Sequence, residues 1–260
     1  MKLQTCLASL VFATATLVQA APDKWSIADL LPPPTPAGVN SAAVAAPKLD
    51  WVQRVKATND RAQASALSIK LVFDGDSITD GWQTKGKDVW GRHYTQFGAF
   101  DFGISGDRTQ HVLWRLANGQ VDNLKPSLIA LMIGTNNLSA NTNEQIAEGV
   151  AAIVQDYRTR CPDAVVLLQA IFPRGQKADD PLRARIKAIN EIIAKLHDGK
   201  KIIFIDFGGK FLGADGTLSP EIMPDFLHPS PKGYQIWADA IQPVIDQYIP
   251  AAAASATPAK

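Results

Sequence analysis

Residues 71–82 read LVFDGDSITDGW. Leu71, Val72 and Phe73 are apolar without alternation, and the run stops at Asp74, Gly75, Asp76 and Ser77. A continuous apolar run suits a strand of a parallel sheet whose two faces are both covered by helices. Its polar ending then feeds a loop at the carboxyl end of that strand. Three fates are open for the loop: Ser77 as a nucleophile, Asp74 as a nucleophile, or a plain polar turn.

Four more apolar runs follow, at 99–102, 127–133, 164–171 and 201–206. Helical patterns lie between the later ones. Thr142 and Gln145 have capping-box spacing, and Ile146, Val150, Ile153, Val154 and Tyr157 then share one face until Cys161-Pro162. Pro181 opens a second helix with the face Leu182, Ile186, Ile189, Ile193 and Leu196, and Gly199 stops it. A last helix has Ser230 as cap and Pro231 in its first turn, and runs through Tyr234, Trp237, Ile241, Val244 and Tyr248. Pro243 is expected to kink or interrupt it. Strands alternating with helices define an α/β fold with a parallel sheet and right-handed crossovers. In such open sheets ligands bind beyond the carboxyl ends of the strands.

The chain has 260 residues, 46% of them hydrophobic, and a formal net charge of +1. That suits one domain with a good-sized core. No dense Lys/Arg cluster is present, which argues against nucleic acid or an anionic membrane as partner. Met1-Lys2 is a short basic start, residues 3–18 are mostly apolar, and Val18-Gln19-Ala20 offers small residues for cleavage. Residues 1–20 therefore read as a signal peptide, too short for a comfortable membrane span. The mature protein is expected to be secreted or periplasmic, with no integral membrane span. Loss of Cys6 with the signal leaves Cys161 with no partner for a disulfide. Residues 21–47, with LPPPTP at 31–36, read as a proline-rich flexible segment; 48–249 as the folded domain; and 250–260 as a disordered alanine-rich tail.

The carboxyl ends of the runs collect the parts needed for acyl transfer. A serine hydroxyl is a weak nucleophile until a base takes its proton. Of the 4 histidines, His228 is the one with an acid, Asp225, three residues before it. A carboxylate there holds the imidazole in the right tautomer and stabilises its charged form. His93, His111 and His197 lack such a neighbour and read as structural or solvent-facing. The oxyanion of a tetrahedral intermediate needs preorganised donors. The backbone N–H groups of Ser77 and Gly106 and the side-chain amide of Asn136 are the candidates.

These blocks resemble the SGNH/GDSL hydrolases, most of all the branch containing the catalytic subunits of platelet-activating-factor acetylhydrolase. The resemblance runs from about residue 71 to 249 and rests on FDGDSITDGW, FGISGDRTQHVLWRL, IGTNN and DFLHPSPKGY, in that order. It implies a flavodoxin-like, three-layer α/β/α fold with a five-stranded parallel sheet. It also implies Ser77 as nucleophile, Asp225 and His228 as the rest of a triad, Gly106 and Asn136 completing the oxyanion hole, and no metal or cofactor.

Three rivals stand beside it. Asp74-x-Asp76 after a strand is similar to the nucleophile loop of magnesium-dependent haloacid-dehalogenase-type phosphatases, but that reading leaves the Gly106, Asn136 and His228 blocks unexplained. An EF-hand fails because Lys85 stands where its glutamate belongs. A non-catalytic carbohydrate- or lipid-binding module would use Trp82, Trp90 or Trp114 to stack on a ring, yet no triad member is missing. Helix-spaced aromatics are more often core than contact; Trp82 and Trp90 are carried as candidate substrate contacts. The expectation is an exported serine esterase for short acyl esters, chiefly acetyl, on a small molecule or polysaccharide. Carbohydrate O-deacetylation leads, and lipase action on a longer acyl chain, a phospholipid acetyl ester or a thioester is the alternative.

Overall fold

The first strand, β1 (Leu71–Gly75), is buried at every residue, as its unbroken apolar run requires. The computed structural model describes residues 35–250. The expected signal at 1–20, the chain up to residue 34 and the tail from 251 lie outside the described residues. In chain order the main elements are helix α1 (Val52–Ala64), β1, α2 (Ser77–Asp80), α3 (Lys87–His93), β2 (Ala99–Asp101), α4 (Thr109–Ala117) and β3 (Leu128–Met132). They continue with α5 (Asn143–Arg160), β4 (Val165–Gln169), α6 (Pro181–Ile193), β5 (Ile202–Ile205) and α7 (Pro231–Tyr248).

The five strands form one sheet in the order β2-β1-β3-β4-β5, and every pairing is parallel. Period-2 alternation sends neighbouring side chains to opposite faces. Val72, Ile129, Leu131, Val166 and Leu168 join a core with Val112 and Leu116 of α4, Val150 and Ile153 of α5, and Ile186 and Ile189 of α6. Leu71, Phe73, Leu128, Ala130 and Leu167 join the opposite core with Trp82, Tyr94, Tyr234, Trp237 and Ile241. This is the three-layer arrangement expected from the sequence. The chain leaves β1 toward β2 on one side and resumes at β3 on the other. The order therefore reverses between β1 and β3, where Leu71 pairs with Leu128 and Gly75 with Met132. That switch point opens a crevice beyond the two carboxyl ends.

The caps follow the sequence. Thr142 accepts from Gln145 N and closes a capping box, Asp180 caps α6 with Pro181 in its first turn, and Ser230 caps α7. Such caps typically contribute about 1 kcal/mol each. Pro243 corrects the expectation of an interruption, because α7 runs through it as one helix. Pro243 and Asp239, whose carbonyl loses its partner, both lie on the exposed face. Water can meet that carbonyl there, so the missing bond is tolerated.

Residues 35–47 also differ from a flexible spacer. A 3-10 turn at Ser41–Ala43 packs against the domain with Ala42 fully buried. Asn40 Nδ2 donates to Gln145 O at 2.9 Å, Thr109 Oγ1 donates to Ala42 O at 2.7 Å, and Ala46 N donates to Gln110 O at 3.0 Å. The packed unit thus begins before residue 48. A small side chain and backbone carbonyls make these contacts, so composition carried no sign of them.

Candidate active site

Ser77 lies two residues past the end of β1 and occupies the first position of α2. Asp76 caps that helix, its Oδ1 accepting from Ile78 N at 3.0 Å. Tyr234 Oη donates to Ile78 O at 2.6 Å and clamps α2 against α7. Gly75 allows the tight strand-to-helix turn: a Cβ there would lie 2.3 Å from both Met132 O and Thr79 Oγ1. Ser77 is thereby fixed at the switch point, half-exposed.

His228 arrives from the loop before α7. Ser77 Oγ lies 2.8 Å from His228 Nε2, and His228 Nδ1 lies 2.6 Å from Asp225 Oδ2. Asp225 Oδ1 also accepts from His228 N at 2.8 Å and Leu227 N at 3.1 Å. One carboxylate therefore caps the turn with one oxygen and orients the imidazole with the other. Burial pushes the Asp225 carboxyl up, but the His228 side-chain and backbone bonds, the His228 charge and the Leu227 N–H outweigh it, and the group sits below its ordinary range. Phe226 takes a left-handed φ of 59° to make the turn. Its carbonyl accepts from Gly175 N at 2.9 Å, which ties the turn to the loop after β4.

The expected donors gather beside this relay. Gly106 sits in the loop after β2 at φ +74°, which favours glycine. Neither Ser77 N–H nor Gly106 N–H donates to an acceptor among the described residues. Asn136, after β3, uses one of its two amide hydrogens on Asp107 O at 2.9 Å and keeps the other. Unpaired backbone N–H groups are rare away from ligands and solvent, so these donors are what an anion in the crevice would meet.

Asp74 is removed from chemistry. It is fully buried, accepts from Arg115 Nη2 at 2.8 Å and from Gln120 Nε2 at 2.8 Å, and is bonded by Tyr157 Oη. Arg115 Nε also donates to Asp107 Oδ2 at 2.9 Å. No group of three or more His, Cys, Asp or Glu among the described residues is placed to hold a metal ion. A phosphatase-type nucleophile needs an open carboxylate, and Asp74 offers none.

Asp76 is buried beside Ser77, and its Oδ2 has no partner among the described residues. Burial pushes its carboxyl up to about 7, against the Ile78 N–H. His111 accepts from Arg108 N at 3.0 Å in a capping role. His93 meets Gln242 and Gln235, and His197 Nδ1 accepts from Phe204 N. All three are structural, as expected.

The tryptophans divide: Trp82, carried as a substrate contact, is corrected, while Trp114 takes the core place that is the commoner fate of such rings. Trp82 is 0% exposed and its ring packs 4.5 Å from Tyr234 and 5.0 Å from Trp237. It is core and cannot touch a substrate. Trp90 is half-buried against Phe73 at 5.0 Å. Its open side lines a hollow of about 130 Å³ with Arg54, Gln83 and Asp101, and none of Ser77, Asp225 or His228 lines it. Trp114 is buried with Val52, Val55 and Ile104. Spacing alone could not separate these fates, because a ring facing the core and a ring facing a crevice recur at the same helical period.

A flavodoxin-like sheet with a Ser–His–Asp relay at its switch point is the layout of a serine-type acylhydrolase. The chain belongs to the GDSL-like Lipase/Acylhydrolase family, which matches residues 73–236, and it is an ester hydrolase of that family. It is 39% identical over 165 residues to platelet-activating factor acetylhydrolase IB subunit alpha2 of Rattus norvegicus, covering 63% of this chain and 70% of the relative. Among solved structures, a putative acylhydrolase from Bacteroides fragilis superposes with a TM-score of 0.61 at 23% identity, covering 75% of this chain and 95% of that one. An acetyl xylan esterase superposes with a TM-score of 0.58 at 22% identity, covering 68% of this chain and 100% of that one. At such identities the two structures speak for the shared fold. No helix among the described residues is long and apolar enough to cross a membrane.

Proposed function

We propose that this protein is an exported serine esterase that removes short acyl groups, acetyl foremost, from carbohydrate, with Ser77, His228 and Asp225 as its catalytic residues. The observation that carries the reading is the unbroken relay of 2.8 Å from Ser77 Oγ to His228 Nε2 and 2.6 Å from His228 Nδ1 to Asp225 Oδ2. Ser77 Oγ attacks the ester carbonyl carbon while its proton passes to His228 Nε2. The carbonyl oxygen becomes an oxyanion that takes hydrogen bonds from Ser77 N–H, Gly106 N–H and the free Asn136 amide hydrogen. The C–O bond to the alcohol then breaks, and the alcohol leaves with the proton from Nε2. Water attacks the acyl-serine and gives its proton to Nε2, the acid departs, and Ser77 recovers its hydrogen. Asp225 stabilises the imidazolium in each half.

The acyl preference is supported by two likenesses whose names share acetyl as the group removed. The carbohydrate preference is supported by the openness of the site. The His228 and Asp225 side chains are 40% and 56% exposed, and Ser77, Gly106 and Asn136 stand half-exposed on the same rim. A rim of that kind admits a large alcohol while the small acyl group enters the crevice. Export rests on the signal-like residues 1–20.

The test is a panel of nitrophenyl esters of rising chain length beside acetylated xylan and an acetyl-ester phospholipid, with acid release as readout. The reading expects acetate from xylan and a steep fall with chain length. Release from the phospholipid alone transfers the substrate to lipid, and no ester cleavage of any kind overturns the reading.

A further inference from the structure

We propose that Lys48 is a positioning residue for the oxyanion hole, reaching from the N-terminal strap to set and polarise the Ser105–Gly106 peptide. The inference rests on the reading of Ser77 and Gly106 above and concerns a side chain that no triad motif contains.

Lys48 Nζ donates to Ser105 O at 2.7 Å. The ammonium also stands where a side chain of Gly106 would be, 2.6 Å from an ideal Cβ. It is thus seated against the Ser105–Gly106 peptide, one of the two whose N–H is a candidate oxyanion donor. No peptide bond among the described residues is cis. In a trans peptide the carbonyl and the next N–H point in opposite directions. Drawing Ser105 O toward Lys48 therefore turns Gly106 N–H the other way, and that N–H has no acceptor among the described residues. A charged donor on the carbonyl also polarises the peptide, which strengthens the N–H as a donor.

The strap itself is held. Trp51 N donates to Lys48 O at 2.8 Å and Ala46 N to Gln110 O at 3.0 Å, and the Lys48 ammonium lies 5.4 Å from the Trp51 ring centroid. Ser105 is fixed from its other side, Oγ donating to Asp80 Oδ2 at 2.7 Å, and Asp80 is paired with Arg54. Burial, then the Lys48 charge, pushes His111 down to about 4. The imidazole is neutral at working pH, so it does not replace Lys48 as the cation at this loop.

The expected effect is smaller than deletion of an oxyanion donor, which costs roughly 10²–10³ in kcat, because Gly106 N–H remains in Lys48→Met but is loosened. The experiment compares wild type, Lys48→Met, Lys48→Arg and Ser77→Ala on nitrophenyl acetate, with melting temperatures and the rate of labelling by a fluorophosphonate. The expected result is kcat down about tenfold in Lys48→Met with KM within twofold, since only the transition state uses the donor. Labelling should slow in parallel, the melting temperature should hold within a few degrees, and Lys48→Arg should restore most of the rate. Wild-type kcat in Lys48→Met with an inactive Ser77→Ala overturns the Lys48 role and leaves the triad standing. So does a loss that appears in KM alone, or one that Lys48→Arg shares in full. An active Ser77→Ala overturns the underlying reading, and the Lys48 role with it.

Discussion

Arg115 Nη2 donates to Asp74 Oδ1 at 2.8 Å in a place where the two side chains are 2% and 0% exposed. The same guanidinium holds Asp107 Oδ2 at 2.9 Å. It thereby ties the carboxyl end of β1, which carries Ser77, to the loop after β2, which carries Gly106. Asn136, bonded to Asp107 O, joins the end of β3 to the same point. The three segments that supply the nucleophile and the donors share one buried anchor.

Arg115→Met should therefore cost about 3–5 kcal/mol, because it leaves the Asp74 and Asp107 carboxylates buried without their cation. Arg115→Lys should recover little, since a point charge cannot serve the two carboxylates in a fixed fork. Urea unfolding measures both. A loss under about 1 kcal/mol in the Met variant would show that the anchor is not a stabilising element.

Asp76 links stability to pH. Its carboxyl is pushed up to about 7 by burial from an ordinary 3.8. Between those values the native state keeps a proton that the unfolded chain has lost, so unfolding free energy falls as pH rises through that window. Asp76→Asn cannot ionise and retains an oxygen for the Ile78 N–H. It should match wild type near pH 4 and exceed it at pH 8 by an amount on the order of a few kcal/mol. Asp107, which burial pushes up to about 6 against the pull of Arg115, contributes its own slope in both proteins, so the difference between them is the readout. Parallel stability–pH curves would rule out the buried, protonated Asp76.

Trp82 belongs to the aromatic core, so Trp82→Ala should lower stability by about 3–5 kcal/mol. The folded fraction should keep its KM for nitrophenyl acetate. A stable variant with a raised KM would return Trp82 to the substrate.

The strands and the meeting of Ser77, His228 and Asp225 were legible because both leave local marks. Buried parallel strands write continuous apolar runs, and Ser77, Asp225 and His228 stand in short blocks with fixed spacing. Other features depend on contacts between distant segments. Arg115 reads as the polar side of an amphipathic helix until α4 is seen packed over Asp74. Lys48 opens the stretch read as folded, directly after the proline- and alanine-rich segment, and nothing near it in sequence marks the loop after β2 as its partner. α1 has few apolar residues, and its Val52 and Val55 find their partners Ile104 and Trp114 far along the chain. The fate of Pro243 was decided by which face of α7 met water.

The base can be tested apart from the nucleophile. Imidazolium cannot accept the Ser77 proton, so ester hydrolysis should fall on acidification along a limb set by His228. His228→Ala should remove that limb with nearly all of the rate. Asp225→Asn should keep the fold and lose at least about a hundredfold in kcat, since an amide neither stabilises the imidazolium nor enforces the tautomer. A still-active His228→Ala with the acidic limb unchanged would assign the base elsewhere.

The most direct measurement is covalent labelling of the whole protein by a fluorophosphonate, with the modified residue located by peptide mass spectrometry. The relay of Ser77 with His228 and Asp225 predicts one adduct, on Ser77, formed with loss of esterase activity in step and absent from Ser77→Ala. Loss of activity with the adduct on any other residue, or a Ser77→Ala variant that keeps more than a tenth of wild-type activity, would contradict it.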